Sequence, residues 1–79
     1  MTVKEKVIDF VLDGASVFEV KAEDKLEDIG IDSVDKMTIV VELEESYGIS
    51  IKDEVIGEWK SVQDIIDCTK QLLEEQSNG

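Results

Sequence analysis

Apolar residues recur along this chain at three- and four-residue steps in separate stretches divided by glycine and polar clusters. In the first stretch Val3, Val7, Phe10 and Val11 fall on one face at about 100° per residue, and Ile8 and Leu12 widen that face. Thr2 and Glu5 stand three apart, the spacing at which a hydroxyl and a carboxylate each take the other's backbone amide, so a helix is expected to start here and to stop near Gly14. Between Ala15 and Ile31 the helical period is lost. Val17, Phe18, Val20, Leu26, Ile29 and Ile31 nevertheless keep the segment apolar, which predicts a long loop packed on the core.

A second helix is expected from Asp32-Ser33, either of which can cap the first free amides, to Tyr47-Gly48. Its apolar residues form two stripes: Ile39, Val40, Leu43 and Tyr47 on one side, Val34, Met37 and Val41 well around the cylinder. A small bundle can bury only one of them, so the second is expected to face solvent and to mark a partner surface. Ile49-Ser50-Ile51 reads as extended or loop, and Asp53 as the cap of a short helix reaching about Trp59. Ser61 opens a last helix on which Val62, Ile65, Ile66, Thr69, Leu72 and Leu73 repeat, with Cys68 at the edge of the face and Glu74 to Gly79 expected as a frayed polar tail. The fold class is therefore all-α: a small four-helix bundle with three main helices, one short helix and a long loop between the first two, in a single domain over residues 1–79.

Composition narrows the function. The 79 residues allow only a small core, and one cysteine permits neither an internal disulfide nor a cysteine-based metal site, which fits a reducing cytoplasm. No apolar run approaches the roughly 18 residues of a membrane span, and the N-terminal residues lead into charges rather than an apolar leader. Twenty acidic residues against eight lysines give a net charge of −12. Such a chain repels nucleic acid and is drawn to basic protein surfaces, an attraction that weakens with salt. With no histidine and no arginine it cannot build a Ser-His-Asp or Cys-His site, and catalysis is not expected. Asp28, Asp32 and Asp35 lack the alternate-position spacing of a calcium loop, and no metal site is expected.

The run Leu26-Glu27-Asp28-Ile29-Gly30-Ile31-Asp32-Ser33-Val34-Asp35 resembles the prosthetic-group attachment motif of acyl carrier proteins. Leu43-Glu44-Glu45-Ser46-Tyr47-Gly48-Ile49 and Ser61-Val62-Gln63-Asp64-Ile65-Ile66 resemble later blocks of the same family, and the likeness runs without a gap from Leu26 to about Leu73. An isolated Asp-Ser is a common helix cap; the conjunction with length, acidity and the later blocks is specific.

The resemblance implies that Ser33 bears 4′-phosphopantetheine, transferred from coenzyme A by a holo-acyl-carrier-protein synthase, a phosphopantetheinyl transferase. It also implies that the arm carries acyl groups as thioesters to enzymes of fatty acid or polyketide type. Gly30, Asp32, Val34 and Asp35 complete the motif, with Asp32 serving the modifying enzyme through its metal ion. Acyl-transferring and acyl-elongating enzymes with basic surfaces are the expected partners of a docking strip made of Val34, Met37 and Val41 with Glu42, Glu44 and Glu45 at its margins. The protein is expected to be a cytoplasmic monomer. Val34 stands where leucine is usual, and Lys36 where a lysine is unexpected. Ile56 and Trp59 are expected to fill the space between the second and third helices. A peptidyl or aminoacyl carrier of a specialised pathway fits the likeness too, and an acidic adaptor without a prosthetic group is the competing class.

Overall fold

The computed structural model describes residues 2–78, with side chains through residue 76. Met1 and Gly79, which the reading placed ahead of the first helix and at the end of the polar tail, lie outside the described residues.

Four α-helices follow in order: α1 (Val3–Gly14), α2 (Ser33–Tyr47), α3 (Asp53–Glu58) and α4 (Val62–Asn78). The start of α1 is the expected capping box: the Glu5 amide donates to Thr2 Oγ1 at 3.1 Å and the Thr2 amide to Glu5 Oε1 at 3.3 Å. Gly14 is the last helical residue. Helix α2 ends on Gly48 in the left-handed conformation, φ 67°, where a side chain would be strained. At the start of α4 the Asp64 amide donates to Ser61 Oγ and the Ser61 amide returns to Asp64 Oδ2.

Helix α1 packs against both α4 and α2. Val7 and Val11 of α1, Ile39, Val40 and Leu43 of α2, and Val62, Ile65 and Ile66 of α4 form the centre of one core. The Lys6 ammonium lies 5.5 Å from the centre of the Tyr47 ring, a cation–π contact joining α1 to the end of α2.

Three expectations need correction, and the long loop, packed on the core as expected through Val20, Leu26, Ile29 and Ile31, holds further structure. The loop between α1 and α2 holds a 3₁₀ turn over Glu27–Ile29 and is stitched to the start of α4. The Leu26 amide donates to the Lys60 carbonyl at 2.9 Å, and the Val62 amide to the Asp24 carbonyl at 3.0 Å, around a Lys25–Ser61 antiparallel bridge. Phe18, expected on the core, is fully exposed: Ser16 is tied to the Ile29 carbonyl, and the bend that follows turns Phe18 outward while Val20 takes the interior position. Asp53 is not the cap of α3 but its first helical residue. Lys52 occupies the cap with no side-chain acceptor, and its carbonyl receives the amides of Val55 and Ile56. Residues 74–78, expected to fray, continue α4, since glutamate and glutamine propagate a helix well and Gln76 Nε2 reaches the Gly48 carbonyl at 3.3 Å.

Candidate functional site

The motif predicted from the sequence is assembled at the junction of the long loop and α2. Gly30 closes the 3₁₀ turn at φ 80°, and a Cβ there would stand 2.5 Å from Ser16 Oγ, so both backbone angle and space require glycine. Buried Leu26, Ile29 and Ile31 anchor the turn, and the Ile31 amide donates to the Leu26 carbonyl. The chain then emerges with Asp32, Ser33 and Val34 all exposed.

Which residue caps α2 is decided here. Asp32 Oδ1 accepts the Asp35 amide at 2.9 Å, and Asp35 Oδ2 accepts the Asp32 amide at 3.2 Å, a reciprocal box built from two aspartates. The bond from the Asp35 amide lowers the Asp32 carboxyl from its usual range. Ser33 occupies the first helical position, and its Oγ is therefore released from cap duty. An exposed hydroxyl at the positive end of a fifteen-residue helix is a favourable place for a phosphate ester.

On α2 the predicted outer stripe is exposed: Val34, Met37 and Val41 all face solvent, with Glu45 beside them. The acidic margin is narrower than expected. Glu44 is half-buried and spends Oε2 on the Ile51 amide at 2.9 Å, so it holds the segment leading to α3. Glu42 is half-buried with Oε2 turned inward and lacking a hydrogen-bond partner among the described residues.

Beside the attachment motif lies an open cleft of about 440 Å³. Its wall includes Ile31, two residues before Ser33, and Lys36, three residues after it. Buried Trp59 and Leu26 form apolar parts of the lining, and Lys36 Nζ donates to the Trp59 carbonyl at 3.1 Å. The sequence marked Lys36 as unusual without revealing this bond, whose partner lies 23 residues away. Ile56 and Trp59 are both buried, as expected. The Trp59 indole nitrogen is buried with no partner among the described residues. Burial raises the neighbouring Cys68 thiol. Among the described residues no group of three or more side chains is placed to hold a metal ion, and no helix is long and apolar enough to cross a membrane.

Comparison with known proteins places this geometry. Residues 12–69 match the family described as phosphopantetheine attachment site. The chain is 39% identical over 70 residues to an acyl carrier protein of Nitratidesulfovibrio vulgaris, covering 85% of this chain and 92% of that one. The crystal structure of an acyl carrier protein from Thermotoga maritima superimposes with a TM-score of 0.80 at 26% identity over 94% of both chains. The solution structure of a 3-oxo-butyl form from the actinorhodin polyketide synthase of Streptomyces coelicolor superimposes at 0.77 and 27% identity, over 95% of this chain and 93% of that one. The motif, the helix order and these likenesses agree, and the chain belongs to the acyl carrier protein family, whose members bear 4′-phosphopantetheine and act as carriers rather than catalysts.

Proposed function

We propose that Ser33 is the residue that takes up 4′-phosphopantetheine, and that the exposed face of α2 presents the loaded protein to acyl-processing enzymes. The observation that carries this reading is the division of labour at the start of α2: Asp32 holds the cap, so the Ser33 hydroxyl is exposed and uncommitted. The described residues fit the group. Ser33 would bear it, with the first amides of α2 beside its phosphate. When bound, the group supplies a thiol that holds acyl groups as thioesters.

The transferase that modifies Ser33 and the enzymes that use the product are read as proteins with basic rims around an apolar recess. They would meet Val34, Met37 and Val41, with Glu45 as the free acidic margin and Asp32 ionised beside the serine. The protein is read as a monomeric, cytoplasmic carrier of fatty acid or polyketide type. Buried Ile56 and Trp59 favour short acyl groups, because a long chain would have to displace an indole and a branched side chain from a close-packed core.

Ser33→Ala tests the assignment. Incubated with coenzyme A and a phosphopantetheinyl transferase, the parent protein should gain the mass of one phosphopantetheinyl group and the variant none. Its circular dichroism should match the parent, since the cap belongs to Asp32. Modification of the variant at another residue would refute Ser33 as the site.

A further inference from the structure

Between α3 and α4 runs a furrow formed by two recesses of about 390 and 240 Å³. Both are lined by Val55 and Glu58 of α3 and by Cys68 and Gln71 of α4, so they are parts of one surface feature. Its α4 wall is a single helix face: Asp64, Asp67, Cys68, Gln71, Leu72 and Glu75 recur at the three- and four-residue steps of one stripe. At 1.5 Å per residue that face is about 16 Å long, or three helical turns. The opposite edge is held in place, since the Lys52 carbonyl accepts the amides of Val55 and Ile56 and the Ile51 amide is bound by Glu44.

The floor is apolar. Val55, Cys68 and Leu72 are half-buried and pack on the core with one side still open, and buried Ile51 and Trp59 back them. The rim is acidic: Glu58, Asp64, Asp67 and Glu75 stand against one lysine, Lys52. Residues next to the lining ones in the chain keep this sign, because Asp53, Glu54 and Glu74 outnumber Lys60 and Lys70. Asp64 is engaged by the amides of Lys60 and Ser61, and Asp67 accepts from Gln63 Nε2 at 2.8 Å. Glu58 and Glu75 are exposed, the first where the two recesses join and the second at the far end of the furrow.

Covering the open sides of Val55, Cys68 and Leu72 requires an apolar surface, and the rim requires cations around it. A second copy of this chain, at net charge −12, is repelled. We infer that the furrow is a second docking surface that seats a basic amphipathic helix of a partner protein. Its apolar stripe would lie on the floor, with lysines or arginines against Glu58 and Glu75. No residue of α2 or of the attachment motif lines the furrow, so a partner held there need not cover Ser33 or the outer stripe of α2. The inference is independent of Ser33 as the attachment residue and stands or falls without it.

The experiment titrates ¹⁵N-labelled protein with an amidated lysine–leucine peptide whose leucines fall at three- and four-residue steps. At low ionic strength the peptide should bind and shift most the amide signals of Val55, Glu58, Cys68, Gln71 and Leu72 and the Trp59 indole, with an affinity that falls as salt rises. Glu58→Lys combined with Glu75→Lys should weaken binding about tenfold. Both positions lie in the last turn of their helices, where a lysine suits the helix dipole, so the circular dichroism of this variant should match the parent. Glu19→Lys combined with Glu45→Lys makes the same change of net charge outside the lining and should cost less than about twofold. Equal weakening by the two pairs would show a general attraction to an acidic protein and overturn the inference. Shifts centred on Val34, Met37 and Val41 would assign the peptide to α2 and overturn it equally, as would absence of binding at low salt.

Discussion

Helix α2 carries two apolar stripes of similar chemistry and opposite fate. Ile39, Val40 and Leu43 are 2, 3 and 0% exposed, whereas Val34, Met37 and Val41 are 71, 48 and 49% exposed. The difference lies in the neighbours. Residues of α1 and α4 join the first stripe in one core cluster, whereas the second stripe lies outside that cluster. Burial thus assigns stability to one side and leaves the other with apolar area still open to solvent, because a residue already packed in the core has none left to lose to a partner.

The comparison breaks most visibly at Leu43. Leu43→Ala should destabilise the fold by about 2–5 kcal/mol, a large part of what a domain this small has, and Leu43→Glu should abolish cooperative unfolding altogether. Urea titration followed by circular dichroism reads both. A variant that kept the parent midpoint would show that the inner stripe is not the one that holds the bundle.

The cap at the start of α2 gives the next effect. Asp32→Ala should lower the thermal midpoint by a few degrees, and Ser33→Ala by much less, because the aspartate carboxylate is the acceptor for the Asp35 amide. The pH dependence has a definite sign. The Asp32 and Asp64 carboxyls are lowered in the fold, chiefly by amides of Asp35 and Lys60 respectively. Their stabilising contribution is therefore complete above the unfolded carboxylate pKa of about 4 and is lost as pH falls through the lower folded values. Scans between pH 5 and the acid limit should show the parent losing this increment and Asp32→Ala losing less of it.

Glu42 sits between the two faces and sharpens the contrast. Its inward oxygen has no partner among the described residues, so Glu42→Met should be neutral or stabilising by up to about 1 kcal/mol. A clear loss of stability by chemical denaturation would mean that the carboxylate has a role in the fold. The smallest effect on stability is expected on the outer stripe. Met37→Glu and Val41→Glu should move the unfolding free energy by no more than about 0.5 kcal/mol while weakening turnover with partner synthases. Unfolding of either variant would reverse the assignment of the faces.

Helix existence and order were legible before any coordinates, because each main helix carries both a period and a local stop or start signal. Thr2 with Glu5, Gly48 and Ser61 act within a few residues of themselves, and all appear where expected. The choice between Asp32 and Ser33 as cap was left open, since either side chain can reach the same amides and only the backbone position of the helix start separates them. Asp53 misled for a related reason: an acidic residue is favourable both at a cap and in the first turn. The roles of Glu44 and Lys36 were illegible, since Ile51 and Trp59 lie 7 and 23 residues away and neither bond follows from any local rule.

The sequence by itself determined the helical class, the two-sided character of α2 and the acidic charge, because periodicity, capping chemistry and net charge are local or additive properties, and it carried the family resemblance around Ser33. Tertiary structure alone decided that the long loop is stitched to the start of α4, that Phe18 points outward while Trp59 points in, and that Lys25, Lys36 and Lys60 meet at one cleft. These outcomes depend on contacts between segments distant in the chain. Such contacts form only when burial of the shared core offsets the entropy of bringing those segments together, and that balance belongs to the whole packing rather than to any stretch of residues.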